Sequence, residues 1–211
     1  MPYHTAEFLD PTSIAFRPTP TIPSGGGLSV FGRATINLPA QNVYDALLDI
    51  EKYSEWSTFI KSAKVTKRAA GQDKTDGKLQ KGTRWHYEVQ MSASGRINGS
   101  NEMCVEVMPL QVAEEHKPAT TMLRWVYDVP FPVNYFLKAE HVNEITDLGD
   151  GTTEYVHWET FSGLGATFVK ASAGDWLRKK FNAWPEELKA YLEKGEKKEG
   201  EGEEAGKAGE E

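Results

Sequence analysis

FGRATINLPAQNVYDALLDIEKYSEWSTFI, residues 31–60, is the stretch whose reading decides the fold. Its first seven residues read as a short strand. Leu38, Pro39 and Ala40 then turn the chain into the helical pattern VYDALLDI, and a second short helical piece, YSEWSTFI, runs up to a new strand near Ile60. A long run of strand patterns follows, and a single helix closes the chain. That order predicts an α+β fold, a curved antiparallel sheet of about seven strands around a long C-terminal helix with two short helices after strand 1. Such a shape leaves an apolar cavity between sheet and helix.

Outward from that stretch the pattern is mostly of period two. Strands are expected at 31–37, 61–68, 79–91, 96–108, 120–129, 135–146 and 152–161. Alternation is clearest in Trp85, Tyr87, Val89 and Met91, set against Arg84, His86, Glu88 and Gln90. Gly95 and the Gly149–Asp150–Gly151 run mark hairpin turns, because glycine supplies the positive φ that a tight turn needs. After Gly163 the period becomes helical. Leu177, Phe181, Trp184, Leu188 and Tyr191 fall on one face, and Pro185 inside that run predicts a kinked helix in two segments.

The ends differ from the body. Residues 1–27 hold five prolines and finish in Gly25–Gly26–Gly27, an N-terminal arm that either trails as a disordered extension or lies over the domain through Phe8, Leu9, Ile14 and Phe16. Disorder is the reading favoured by composition. Residues 28–193 form the body, and 194–211 an acidic tail of Glu, Gly, Lys and Ala expected to be disordered. The tail carries seven Glu against four Lys, so −3 of the formal −7 is local to it.

Composition excludes several classes of function. Basic residues are scattered among acidic ones, which leaves no stripe for nucleic acid. Cys104 is the only cysteine, so no intrachain disulfide forms. It sits in a strand as an ordinary small thiol rather than a nucleophile. No run is apolar for long enough to span a membrane, and the start of the chain lacks the pattern of a secretory leader, so a cytoplasmic protein is expected. The three glycines are not followed by the Lys-Ser/Thr pair of a phosphate loop.

Four stretches carry a resemblance: Ala40 to Ile60 with its YSEWS, Glu140–His141, Gly151–Thr152–Thr153 leading to HWETFSG at 157–163, and the helical FNAW at 181–184. Residues 28–193 resemble the START-like superfamily (SRPBCC, the birch-pollen-allergen fold), in particular its polyketide cyclase/dehydrase branch. The resemblance implies a helix-grip domain for a hydrophobic ligand, working without a metal or organic cofactor.

In that fold the concave face of the sheet lines the pocket. The expected substrate-binding residues are Trp85, Tyr87, Val89, Met91, Leu123, Trp125, Tyr127 and Leu137, with Phe181 and Trp184 from the helix. His141, His157 and Glu159 are the catalytic candidates. His157 and Glu159 share a face because they are two apart. His141 joins them if the hairpin loop has three residues or a bulge. A two-residue turn at Asp150–Gly151 scatters them. Together a histidine and a carboxylate make a general acid/base pair. A metal held by these three groups has no ligand spacing to support it.

Two functions follow. The first, favoured, is a cofactor-independent enzyme of secondary metabolism that cyclises or dehydrates a partly oxygenated guest. The second is a non-catalytic carrier or sensor. The partner implied by the resemblance is a hydrophobic small molecule (polyketide, terpenoid or lipid), taken up by a monomer or dimer.

Overall fold

Alternating side chains commit seven segments to one sheet, and the helical period at the C-terminal end supplies the element that covers it. The computed structural model describes residues 5–73, 78–114 and 117–207. Residues 1–4 of the expected arm and 208–211 of the expected tail lie outside them. The strands are β1 (Gly26–Ile36), β2 (Ile60–Lys67), β3 (Arg84–Gln90), β4 (Ile97–Val107), β5 (Ala119–Tyr127), β6 (Lys138–Asp147) and β7 (Thr153–Ser162). Every neighbouring pair is antiparallel, in the order β1-β7-β6-β5-β4-β3-β2. The helices are α1 (Ala6–Leu9) in the arm, α2 (Ala40–Leu48) and α3 (Tyr53–Trp56) between β1 and β2, α4 (Val133–Phe136) before β6, and α5 (Leu164–Lys207). A 3-10 turn, Ile50–Lys52, joins α2 to α3.

The helical stripe behaves as its spacing predicts, up to its last member. Leu177, Phe181, Trp184 and Leu188 are buried on the sheet, whereas Tyr191 is 37% exposed and its hydroxyl donates to Glu55 at 3.0 Å. Trp184 is boxed edge-on by Tyr53 at 5.4 Å and Trp56 at 5.1 Å, so α3 of the opening stretch braces the long helix.

Three expectations need correction. Helix α5 runs through Pro185 as one element rather than two segments. The carbonyl that a helical N–H at position 185 would have used belongs to Phe181, and it is taken instead by His157 Nε2 at 2.9 Å. The helix also continues to Lys207, where an unstructured tail was expected from Gly195. Glu, Lys and Ala are good helix formers once a helix has started.

The third correction concerns the arm, which is ordered. It covers the convex face of the sheet over β1, β7 and β6. Phe8 meets Phe31 and Trp158 edge-on at 5.9 and 5.1 Å, and Met122, Val142 and Val156 complete this second apolar cluster. Arg17, 1% exposed, donates to the carbonyls of Phe8 (2.9 Å), Ser13 (3.2 Å) and Asp10 (2.7 Å), and its guanidinium lies 4.3 Å from the centre of the Phe31 ring. Burial pushes its pKa down to about 10. Further on, Thr21 donates through its N–H (2.7 Å) and its hydroxyl (2.6 Å) to Glu140, which also pairs with Arg124 at 2.5 Å. Of the four apolar anchors expected, Phe8 is buried and Leu9 half-buried, while Ile14 and Phe16 are exposed.

The arm predicts its own test. Phe8→Ala should cost about 3 kcal/mol in urea unfolding, since it opens a cavity over Trp158 and Phe31. A loss below about 0.5 kcal/mol, the scale of an ordinary surface change, would show that the arm is not docked.

Candidate functional site

The turn between β6 and β7 sets the site. Leu148 donates its N–H to the Thr152 carbonyl at 3.2 Å, so the loop is the three residues Gly149, Asp150 and Gly151, with φ of 79° and 85° at the two glycines. That register places His141 opposite Glu159 and Asn143 opposite His157. The two-residue turn that would have scattered these residues is not formed. All three catalytic candidates therefore face α5.

They are not equivalent. His141 and Glu159 line a cavity of about 200 Å³, whereas His157 lies behind it, fully buried. The His157 Nε2 must donate, because its partner is the Phe181 carbonyl. Its Nδ1 therefore accepts, and His141 Nε2–H is the donor of the 2.9 Å bond between the two rings. His141 is left with Nδ1 as its one unengaged ring nitrogen. The tautomers of both histidines thus follow from one helix carbonyl. His157 also stacks on the Phe181 ring, centroids 4.9 Å apart and planes within 5°.

Gly32 is what allows this contact. It pairs with His157 across β1 and β7, and a Cβ at this position would fall 2.0 Å from the Phe181 oxygen and 2.8 Å from His157 Nε2. Only a residue without a side chain lets the strand pass so close to the helix.

Of the ten expected substrate-binding residues, Tyr87, Val89, Met91, Trp125, Tyr127, Leu137, Phe181 and Trp184 line the cavity. Trp85 and Leu123 face the same way but are buried as core outside its wall. Phe59, Ile60, Ala139, Phe161, Val169 and Leu177 complete the apolar lining.

The residue that sequence reading missed is Glu102. It is 6% exposed, lines the cavity, and accepts from the Ser100 hydroxyl at 2.5 Å. Asn98, Ser100, Glu102 and Cys104 share one face by plain alternation, so Met103 faces the other way, and the bulge in β4 comes only after Cys104. Cross-strand register was the signal that could have found it, since Glu102 pairs with Trp85 and Tyr127.

Burial governs the ionisation of this interior. It holds His141 well below the usual imidazole range, with His157 adding to the effect, and lowers His157 to about 3. It raises Glu102 to about 8, and it raises Glu159, with the charge of Glu102 as the second cause. The Tyr87 hydroxyl is also pushed up by burial, then by Glu102. Near neutrality the histidines are neutral bases and the carboxyls retain protons. Trp85 Nε1 and the Tyr87 hydroxyl are both buried without a hydrogen-bond partner, and the indole N–H beside Tyr87 can only donate. Among the described residues no group of three or more His, Cys, Asp or Glu is placed to hold a metal ion. Nor is any described helix long and apolar enough to cross a membrane.

Comparison with known proteins identifies the family. Residues 28–193 match the family described as "Polyketide cyclase / dehydrase and lipid transport". The chain belongs to this family. A curated relative, "Oxopyrrolidines biosynthesis cluster protein O" of Penicillium oxalicum, is 23% identical over 186 residues, covering 83% of this chain and 92% of its own. A hypothetical protein of Helicobacter pylori shares the fold with a TM-score of 0.61 at 17% identity, over 86% of this chain and 98% of that one. The Zhui aromatase/cyclase of Streptomyces sp. R1128 does so with a TM-score of 0.51 at 12% identity, over 78% of this chain and 93% of that one.

The shifts predict how stability varies with pH. Glu102 holds a proton in the folded state that the unfolded chain sheds above 4.5, so its contribution is in place below pH 4.5 and is lost as pH rises through about 8. His157 refuses a proton that the unfolded chain accepts below 6.5, so its contribution is in place above pH 6.5 and is lost as pH falls through about 3. The two slopes oppose each other between, and urea unfolding should find greatest stability at about pH 4.5–6.5. Glu102→Gln should make the alkaline decline shallower. A wild-type stability that climbs from about pH 6.5 to 8 contradicts the assignment.

Proposed function

We propose that the protein binds a partly oxygenated, mainly apolar small molecule in this cavity and catalyses its cyclisation or dehydration by general acid/base chemistry. The observation that carries the reading is His141 opposite Glu159 on the cavity wall, one a neutral base and the other a protonated acid.

In a dehydration, His141 Nδ1 takes a proton from the carbon next to a carbonyl. The electron pair forms the new carbon–carbon double bond, and Glu159 protonates the departing hydroxyl, which leaves as water. Imidazolium and carboxylate arise together and face each other across paired strands, so neither charge is stranded in an apolar hollow. In this reading His157 is a positioning residue that fixes the His141 tautomer.

Family membership and the aromatase/cyclase likeness support such chemistry, as does a relative named for a biosynthetic cluster. The volume limits the guest. About 150 Å³ suffices for benzene, so a cavity near 200 Å³ suits one or two rings without larger motions. No cofactor enters the scheme.

Small molecules extracted from protein purified from its own host, compared by mass spectrometry before and after incubation, test this. The wild type should convert its guest with loss of one water or with ring closure at constant mass. His141→Ala and Glu159→Gln should keep the guest and slow conversion by about 10²–10⁴-fold. A guest that the wild type returns unchanged would point to a carrier or sensor instead.

A further inference from the structure

The cavity reaches the surface where three segments meet. Met91, Asn98 and Val169 line it and also line a shallow depression beside it, together with Arg96, Phe168 and Ser172. Residues 91–98, 128–138 and 162–172 therefore form the rim of its mouth. The α4 stretch sits directly on the start of α5, since a Cβ at Gly163 would fall 2.4 Å from the Phe136 oxygen and one at Gly165 would fall 3.0 Å from the Phe136 ring. Although the segments pack this closely, the rim presents Phe131, Val133, Tyr135, Phe136, Leu164 and Phe168 to solvent, each between 45% and 80% exposed. These are six of the eleven large hydrophobic side chains exposed among the described residues, so they form a patch and are not the scattered apolar residues of an ordinary surface.

The charge of this rim is opposite to that of the chain. The three segments hold Arg96, Lys138 and Lys170 against Asp128 alone, a net +2 where the whole chain carries −7. Asp128 is already paired with Arg84 at 3.0 Å, and none of the three rim cations forms an ion pair with a described residue. From this combination we infer that the mouth docks on an anionic lipid surface, with the rim side chains entering the headgroup layer and the three cations meeting lipid phosphates and carboxylates. Aromatic side chains flanked by Lys and Arg are the composition that settles at a membrane–water interface. The shape of the patch also favours a lipid over a protein. Its side chains stand out singly around an opening, and a protein packed to the density of an interior against them would close the mouth. A bilayer fills the gaps between them and leaves the mouth facing the phase in which an apolar guest dissolves.

Docking itself does not rest on the function proposed above; only delivery of a guest from the bilayer does. The test is co-sedimentation of the full chain with phosphatidylcholine vesicles containing about a third phosphatidylserine, beside vesicles of phosphatidylcholine alone. The wild type should bind the anionic vesicles at least about ten-fold more tightly, and high salt should weaken that binding. Arg96→Ala with Lys170→Ala should weaken it by about ten-fold or more. Tyr135→Ser, Leu164→Ser and Phe168→Ser together should do the same by removing apolar insertion. All these side chains are exposed, so the variants should fold, and each single change carries the test should a combination fail. Ile14→Ser with Val112→Ser, equally exposed but away from the mouth, should leave binding within about two-fold. No binding by the wild type, equal binding to neutral vesicles, or binding that ignores the rim substitutions overturns the inference. Self-association without vesicles that the rim substitutions abolish assigns the patch to a second copy of the chain and overturns it too. Vesicle binding is read with no guest present, so failure of the catalytic reading leaves it untouched, and failure of docking leaves a guest that enters from water.

Discussion

The hydrogen bond from His157 to the Phe181 carbonyl is the contact on which both the fold and the site depend. It exists because two sequence features meet there. Pro185 removes the helical donor that would have used this carbonyl, and Gly32 removes the side chain that would have kept strand and helix apart. A histidine fills the vacant position, and the long helix passes its proline unbroken. The bond then orders the interior behind it. A donor at His157 Nε2 makes Nδ1 an acceptor, which makes His141 a donor at Nε2 and leaves His141 Nδ1 as a base. Backbone geometry and proton geometry are one arrangement here.

Beside the neutral Asn98 and Ser100, the cavity in front of that chain holds titratable groups that burial shifts away from charge. Burial keeps the histidines deprotonated and the glutamates protonated. An apolar hollow with such groups holds its reactive states in reserve at neutral pH, since the charges appear only when a guest brings one or when a proton moves between opposed residues. The convex side balances this economy differently. There the buried Arg17 and Glu140, with the half-buried Arg124 paired to Glu140, fasten the N-terminal arm.

Most of the fold was legible in the sequence because it follows from side-chain period. Residues 31–60 specified a strand and two short helices, and the apolar stripe from Leu177 to Leu188 specified the covering helix. What was not legible depends on contacts between distant segments. Pro185 reads as a break until the His157 donor is known. Residues 5–25 read as a loose arm because prolines dominate them, yet Phe8 finds an apolar face that only the folded sheet assembles, and Arg17 ties the arm to itself through the carbonyls of Phe8, Asp10 and Ser13. Six of the eight lining residues expected from the sheet reach the cavity because strand alternation is local, and Phe181 and Trp184 reach it through the helical period. Glu102 escaped because the cavity-side residues of its strand, Asn98, Ser100 and Glu102, are polar, so no apolar alternation marks that face.

The central claim is that a helix carbonyl sets the protonation of the paired histidines. Long-range proton–nitrogen correlation spectra of uniformly ¹⁵N-labelled protein, taken at about pH 6, test it most directly, below the ordinary histidine value of about 6.5. The account predicts two neutral rings, each carrying its hydrogen on Nε2 with Nδ1 bare. A doubly protonated ring at either position, or a hydrogen on Nδ1 of His141, would contradict it.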